Sequence, residues 1–420
     1  MVDSLLVISV VGGFLLGICS GLAPGLHTNN FAALLLALSP AFLDLGLDPF
    51  DLAAAILAAS VAHTFLDIVP SIFIGAPDAD TALAVLPGHE MMLDGRGIEA
   101  IRLSALGSAS SVIVALVLIV PLSLLFSSFY DTFMSHIGLI LLSIAALMIL
   151  TERGRVIEGQ GSLVHLKYKF FALALFLTSG YLGLFAFGHQ GLALSPLGFQ
   201  TEVLLPLLGG LFGASMLLIS LASKAEIPEQ RDTEFDLPAR TIARSAFLGG
   251  LAGSVVAWVP GVTPAVATVV TRLGSEGSDR EFLVSVSGVN TANSLFTLVA
   301  LLVVGRPRSG AAIAIEELVA LDGNLLLVMV TIVLGVSILS YIATIRAGRV
   351  AAKVVRNLNY RRLCISVLAF LTAMTFGFTG LFGLFLYFVS TVVGLVAPFA
   401  GIRKTHAMGV LMLPLLAYYL

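Results

Sequence analysis

The stretch Ser20–Asn30, SGLAPGLHTNN, closes an apolar run that begins near Ser4. A helix breaker, two glycines, a histidine, a threonine and two asparagines stand at the end of a greasy helix. Proline has no N–H and clashes with the preceding turn, and glycine accepts backbone angles closed to other residues. Pro24-Gly25 therefore ends one helix and lets another begin. Backbone groups freed in hydrocarbon cost on the order of several kcal/mol each, so such a break needs protein or a wet cavity around it. Thr28, Asn29 and Asn30 follow at once, and each can cap a helix start. The new helix presents unpaired N–H donors and about half a positive charge at its N-terminus, an arrangement that suits an anion.

The rest of the chain fits a membrane setting for that break. Of 420 residues, 58% are hydrophobic and 11% charged, with mean hydropathy +1.04; water-soluble domains carry about 25% charged residues. Apolar runs near bilayer-spanning length recur, at roughly 4–23, 29–46, 50–75, 102–127, 131–151, 167–188, 197–222, 241–258, 261–273, 282–304, 323–345, 361–381, 383–400 and 406–420. The runs are continuous rather than alternating, which points to an all-α polytopic protein of the cell membrane and away from a barrel. Runs 29–46, 261–273 and 406–420 are short for crossing alone and read as half-helices or re-entrant pieces. The N-terminus lacks a basic n-region, so the first helix is expected to stay. A net charge of −3 without a large basic block gives no footprint for nucleic acid. Cys19 and Cys364 sit in apolar stretches as packing residues.

Three polar segments punctuate these runs: 151–169, 223–240 and 346–362. The positive-inside rule puts all three on the cytoplasmic side, which requires an even number of crossings between them. The third carries six basic residues and no acid, and reads as an interfacial helix with Val350, Val354 and Leu358 toward lipid.

The break recurs. GFLLGICSGLAPGLHTNN from Gly13 aligns with GLAGSVVAWVPGVTPAVA in the region of Gly249, so that Gly13, Gly17, Pro24 and Gly25 meet Gly249, Gly253, Pro260 and Gly261 at one offset of 236. Gly75-Ala-Pro77 pairs with Gly305-Arg-Pro307, and 167–188 resembles a stretch from Asn359. The chain is thus expected to be a duplication with inverted repeats, 1–222 and 241–420 joined by 223–240, each with a Pro-Gly-broken helix or re-entrant hairpin, and with about one helix, the partner of 102–127, missing from the second half. Inverted repeats commonly hold substrate at mid-depth between them. Gly13, Gly17 and Gly21, like Gly249, Gly253 and Ala257, recur every four residues, which lets two helices approach closely.

Candidate substrate-binding residues are therefore Pro24, Gly25, His27, Thr28, Asn29 and Asn30 in the first half. In the second they are Pro260, Gly261 and Thr263, with Asn290 and Asn293 in a neighbouring run. His27 reads equally as a capping or loop-packing residue. His63 and Asp67, four apart on one helical face, are candidates for ion coupling, through a proton relay or a bound cation; a buried pair that joins two helices is the other reading. Asp78, Asp80, His89 and Glu90 fall in a segment read as too polar to be deep. Trp258 reads as packing or as a gate. His89-Glu-Met-Met-Leu93 lacks the second histidine of a zinc protease, and no phosphate-binding Walker sequence is present.

GICSGLAPGLHTNNFAALLLALSP and GAPDADTALAVLPGHEMMLDGRGIEAIRLSALGS together resemble the TctA family, the large permease subunits of tripartite tricarboxylate transporters. The likeness rests on the early Gly-x-x-Pro-Gly and on Pro87-Gly88, Met91 or Met92, Gly95, Gly97 and Ala100. It continues in the second half with Pro260-Gly261, Asn293 and Gly305-Arg-Pro307. The chain is shorter than usual for that family, and Arg306 interrupts the second Gly-x-Pro. The resemblance implies uptake of small carboxylate anions across the bilayer. It implies a driving Na⁺ or H⁺ gradient and no other cofactor, an extracytoplasmic binding protein and a small membrane subunit as partners. Paired Pro-Gly loops also suit a translocator of a phosphorylated lipid carrier such as a polyprenyl phosphate. An intramembrane enzyme using His63 and Asp67 finds no nucleophile or metal spacing to support it.

Overall fold

The computed structural model describes residues 4–23, 28–75, 85–152, 154, 162–196, 198, 203–223, 228–232, 237–259, 264, 267–268, 278–305, 309–356 and 358–420. These are helical with no strand among them, and eight helices are long and apolar enough to cross a membrane. The protein is an all-α, multi-pass membrane protein.

The helix α1 (Ser4–Leu22) packs on α4 (Pro49–Leu66) through its glycine row. A Cβ on Gly13 would collide with the Ala55 carbonyl, one on Gly17 with Ala59, and one on Gly21 would lie 3.0 Å from His63 O. Between them lie the short α2 (Thr28–Ala37) and α3 (Ser39–Asp44). Run 29–46 is therefore two short helices, each too short to span. α4 starts at Asp48, where a capping box with Asp51 closes the first turn. It ends at Asp67, and α5 (Ile68–Phe73) continues after a break. Pro70 has no N–H to give Leu66 O, so the chain cannot run on as one regular helix there.

The second half repeats this contact. α12 (Ala239–Val256) lies on α13 (Asp279–Val304), with Gly249 against Ser285 and Gly253 against Val289. Two long helices complete the arrangement in exchanged fashion. α7 (Gly97–Ser135) packs on α13, where Gly107 meets Val284, and α15 (Gly323–Arg356) packs on α4. A further short apolar helix, α8 (Ile137–Leu150), follows α7. α4 and α13 are the innermost spans, with 94% and 78% of their most apolar stretches buried.

A second group of helices holds α8, α9 (Ser162–Gly188), α10 (Leu204–Leu208) and α11 (Ser215–Ser223) against α16 (Tyr360–Ala400) and α17 (Gly409–Tyr419). Between α10 and α11 the backbone is π-helical over Gly209–Ala214. α16 has 41 residues, about 60 Å, twice the hydrocarbon thickness. Gly380 divides it at φ 64°, ψ −154°, angles that favour glycine, so the expected spans 361–381 and 383–400 correspond to its two arms.

Three expectations need correction. Segment 346–356 is no separate interfacial helix but the end of α15, although Val350 and Val354 do face outward. His89, on α6 (Val85–Leu93), is fully buried rather than shallow: its Nδ1 lies 2.8 Å from Ile72 O and its Nε2 2.8 Å from Tyr360 Oη. Burial depresses its pKa, against a smaller opposite effect of the Ile72 contact. The polar linker is exposed at Glu229, Arg231 and Asp232 yet pinned at Gln230. Gln230 accepts from Gly97 N (2.8 Å) and donates to Met92 O (2.8 Å), while Asp232 pairs with Arg102 and Arg349. The Asp78 and Asp80 positions lie outside the described residues.

Glu152, just after α8, joins this second group to the α16–α17 turn. Its buried carboxylate accepts from Arg403 Nε (3.0 Å), Arg403 N (3.2 Å), Gly154 N (2.7 Å) and His406 Nε2 (2.5 Å). Burial alone would raise its pKa, but the bonds from His406, Gly154 and Arg403 outweigh it and hold the group at about 2. A carboxyl depressed on folding stabilises fully above its unfolded value of 4.5 and loses that contribution as pH falls toward 2. Thermal unfolding of purified protein between pH 6 and pH 2.5 is therefore expected to show a falling Tm. Glu152→Gln is expected to start lower and to lose that part of the slope; an unchanged slope would contradict the assignment.

Candidate functional site

The polar residues of the inner spans converge where α1 ends. Ser20 Oγ donates to Gly17 O (3.2 Å), which leaves its lone pairs for His63 Nδ1–H at 3.0 Å. One turn on, Asp67 lies at the α4–α5 break, 2% exposed. Asn290 of α13 donates Nδ2–H to its Oδ2 at 3.0 Å. The carboxylate of one half thus meets the carboxamide of the other, 223 residues apart in sequence. Ser71 Oγ caps Asp67 O at 2.8 Å, and Thr344 of α15 caps Phe65 O at 3.1 Å. Hydroxyls from two elements therefore satisfy the carbonyls around the break.

A narrow crevice, with no room for a water molecule in this structure, lies beside this pair, lined by Ser20, Thr28, Ala32, Leu35, Ser60 and His63. Thr28 is the first residue of α2 and half-buried. The helical backbone of Asn29 and Asn30 follows it. Pro24, Gly25 and His27 lie outside the described residues, as do Pro260, Gly261 and Thr263. The structure therefore brings together Thr28, His63, Asp67 and Asn290 of the expected residues. Asn293 is half-buried one turn along α13.

The end of α12 carries its own polar atoms. Ser254 Oγ and Trp258 Nε1, four residues apart, are buried and have no hydrogen-bond partner among the described residues. The Trp258 ring stacks on Phe126 at 4.6 Å between centroids and 9° between planes, and tilts against Phe296. Trp258 is thus a packing residue whose N–H is left over, immediately before Val259-Pro260. Beyond that proline, Pro264, Ala267 and Thr268 are helical and buried.

Sequence reasoning missed Ser20, Ser60 and Ser254. Serine is common in membrane helices, where it bonds back to its own backbone, so composition alone does not mark it. Its place four residues before Pro24 was the available sign for Ser20. The groups assembled here can donate hydrogen bonds (Asn290, Trp258, Ser254) and exchange a proton (His63, Asp67). Among the described residues no group of three His, Cys, Asp or Glu could hold a metal ion.

Comparison with known proteins gives two positive findings. The profile of the tripartite tricarboxylate transporter TctA family matches residues 7–409. The uncharacterized protein MJ1079 of Methanocaldococcus jannaschii is 26% identical over 422 residues, covering 97% of this chain and 97% of that protein. No solved structure matches the chain.

Proposed function

Because the chain belongs to the tripartite tricarboxylate transporter TctA family, and is thus a secondary membrane transporter rather than an enzyme, we propose that its substrates are small carboxylate anions. They bind between the two breaks, 24–30 and 260–263, and reach either side by alternating access of two repeated halves. The observation that carries this reading is the Asp67–Asn290 contact beside the Ser20–His63 pair. It joins a carboxylate of the first half to a carboxamide donor of the second, beside a histidine, which supports a role for these groups in ion coupling. The unused buried donors Ser254 and Trp258 favour a negative guest at the second break. The matched glycine contacts of α1 on α4 and α12 on α13 support the duplication.

His63 and Asp67 serve as the coupling pair, for a proton or Na⁺. A carboxylate substrate enters as an anion and needs a compensating cation to cross with it, so a titrating acid next to the binding site supplies the linkage. The family implies a tripartite assembly; an extracytoplasmic binding protein delivering substrate and a small membrane subunit are the partners proposed here. Purified chain in proteoliposomes is expected to accumulate labelled di- or tricarboxylates under an imposed pH or Na⁺ gradient, with the binding protein added outside. Absence of gradient-dependent uptake for every carboxylate tried, with exchange of a polyprenyl phosphate instead, would replace this reading by the lipid-carrier one.

A further inference from the structure

The second group of helices holds a buried cation that the proposed transport site does not use. Lys404 stands in the turn Lys404–Met408 between α16 and α17 and is 8% exposed. Its Nζ donates to Ser215 Oγ (2.8 Å) and to Phe212 O (3.3 Å), and lies 5.7 Å from the centre of the Phe212 ring. An ammonium has three donors and no acceptor. Two are used, and no carboxylate among the described residues pairs with it. Glu152, which binds the same turn, is taken up by Arg403 and His406.

One partner of Lys404, Phe212, lies in an irregular piece of helix, and the other, Ser215, is the first residue after it. Gly209–Ala214 is π-helical and carries glycines at 209, 210 and 213. Single π turns inside α-helices are rare and occur frequently at functional sites. Ser215 Oγ also donates to Leu211 O at 2.6 Å. With Lys404 charged, Ser215 accepts from Nζ and gives its own proton to Leu211 O. Loss of the Lys404 proton leaves Nζ with a lone pair, which competes with Leu211 O for the Ser215 hydrogen. One proton thus decides whether a carbonyl inside the π segment is held or released.

We propose that Lys404 is a proton-binding site, separate from His63 and Asp67, whose occupancy sets the conformation of the π-helical segment 209–214. The segment packs on α16, where a Cβ on Gly210 would lie 2.6 Å from Ser390 Cβ and one on Gly394 would collide with Leu211 O, so a change of helical register there moves one long span against another. Among the described residues the titratable groups around Lys404 are few. On its own turn stand Arg403 and His406, both bound to Glu152. α16 contributes Tyr387; α17 contributes none before Tyr418; the face of α9 packed on the turn contributes Ser179 and no ionisable group, Tyr181 pointing outward. The π segment and α11 contribute none. Burial, with no acid among the described residues to offset it, holds Lys404 down at about 7, within reach of ordinary changes in pH.

The inference does not depend on the nature of the transported molecule and is tested without transport. A lysine depressed on folding costs the fold a constant amount below about 7. That cost fades as pH rises toward its unfolded value of 10.5, so stability climbs across that window. Detergent-solubilised full-length protein is expected to gain thermal stability relative to Lys404→Met between pH 7 and pH 10. Its unfolding constant should fall by up to about tenfold per pH unit against the variant. Hydrogen exchange of peptides spanning 209–216, corrected for intrinsic rates, is expected to change with a midpoint near neutral pH in the wild type and to be flat in Lys404→Met. Lys404→Arg, permanently charged, should hold the low-pH pattern at every pH and serves if the methionine variant does not fold. Parallel pH profiles for wild type and variants in both measurements would overturn the proposal.

Discussion

Asp67→Asn protein in proteoliposomes is expected to show gradient-driven uptake about a hundredfold below wild type, the usual scale for loss of a positioned proton-transfer group, while folding normally. The asparagine oxygen can still accept from Asn290 Nδ2 at the same place, so the contact between α4 and α13 survives while the exchangeable proton is gone. Asn290→Ala makes the complementary change. It keeps the proton site and strips its donor, leaving a buried carboxylate without that bond, a loss of about 1–3 kcal/mol of stability. The two variants should therefore separate: one stable and inactive, the other destabilised with residual uptake. Asp67→Asn uptake within twofold of wild type would reduce the pair to a joint between helices and remove the coupling assignment.

The second large effect concerns packing. Gly253→Leu is expected to cost about 3 kcal/mol or more, because its Cβ would have to occupy the space of the Val289 carbonyl and no side-chain rotation relieves a clash with backbone. Gly17→Leu, facing Ala59 and Ala62, should behave alike. Gly12→Leu is the internal control: nothing lies within 4 Å of its Cβ, on an outward face of α1. Size-exclusion profiles and Tm values in one detergent check all three. A Gly253→Leu protein as monodisperse and heat-stable as Gly12→Leu would mean that α12 does not rest on α13 as described.

What could be read before the structure follows from what the bilayer demands. Spans such as α1, α9 and α13 were legible because a stretch of some 20 apolar residues has few alternatives. The glycine rows were legible because close approach needs a fixed spacing, and His63 with Asp67 because ionisable groups in such runs stand out. α6 was not, since the polarity of His89 and Glu90 looked like exposure. Nothing local reveals that His89 finds its partners on Ile72 and on Tyr360, far along the chain. The Asp67–Asn290 contact was hidden for the same reason: both residues were noticed, but only the exchanged packing of α7 and α15 brings their helices together. Nothing in the sequence marks Lys404, because its burial depends on a π-helical turn that no composition announces.

The near-complete enclosure of α4 also bears on how the chain is made. A ribosome delivers α4, with Asp51, His63 and Asp67, long before it delivers α13 and α15, which supply Asn290 and the Thr344 hydroxyl. Until then α1 is the main span packed against it. The glycine seam against α1 is thus available from the start, and an early α1–α4 hairpin lets the translocon release these ionisable groups toward a neighbour rather than toward acyl chains. The carboxamide and hydroxyl arrive later, to finish a span that the nascent chain has already committed to the bilayer.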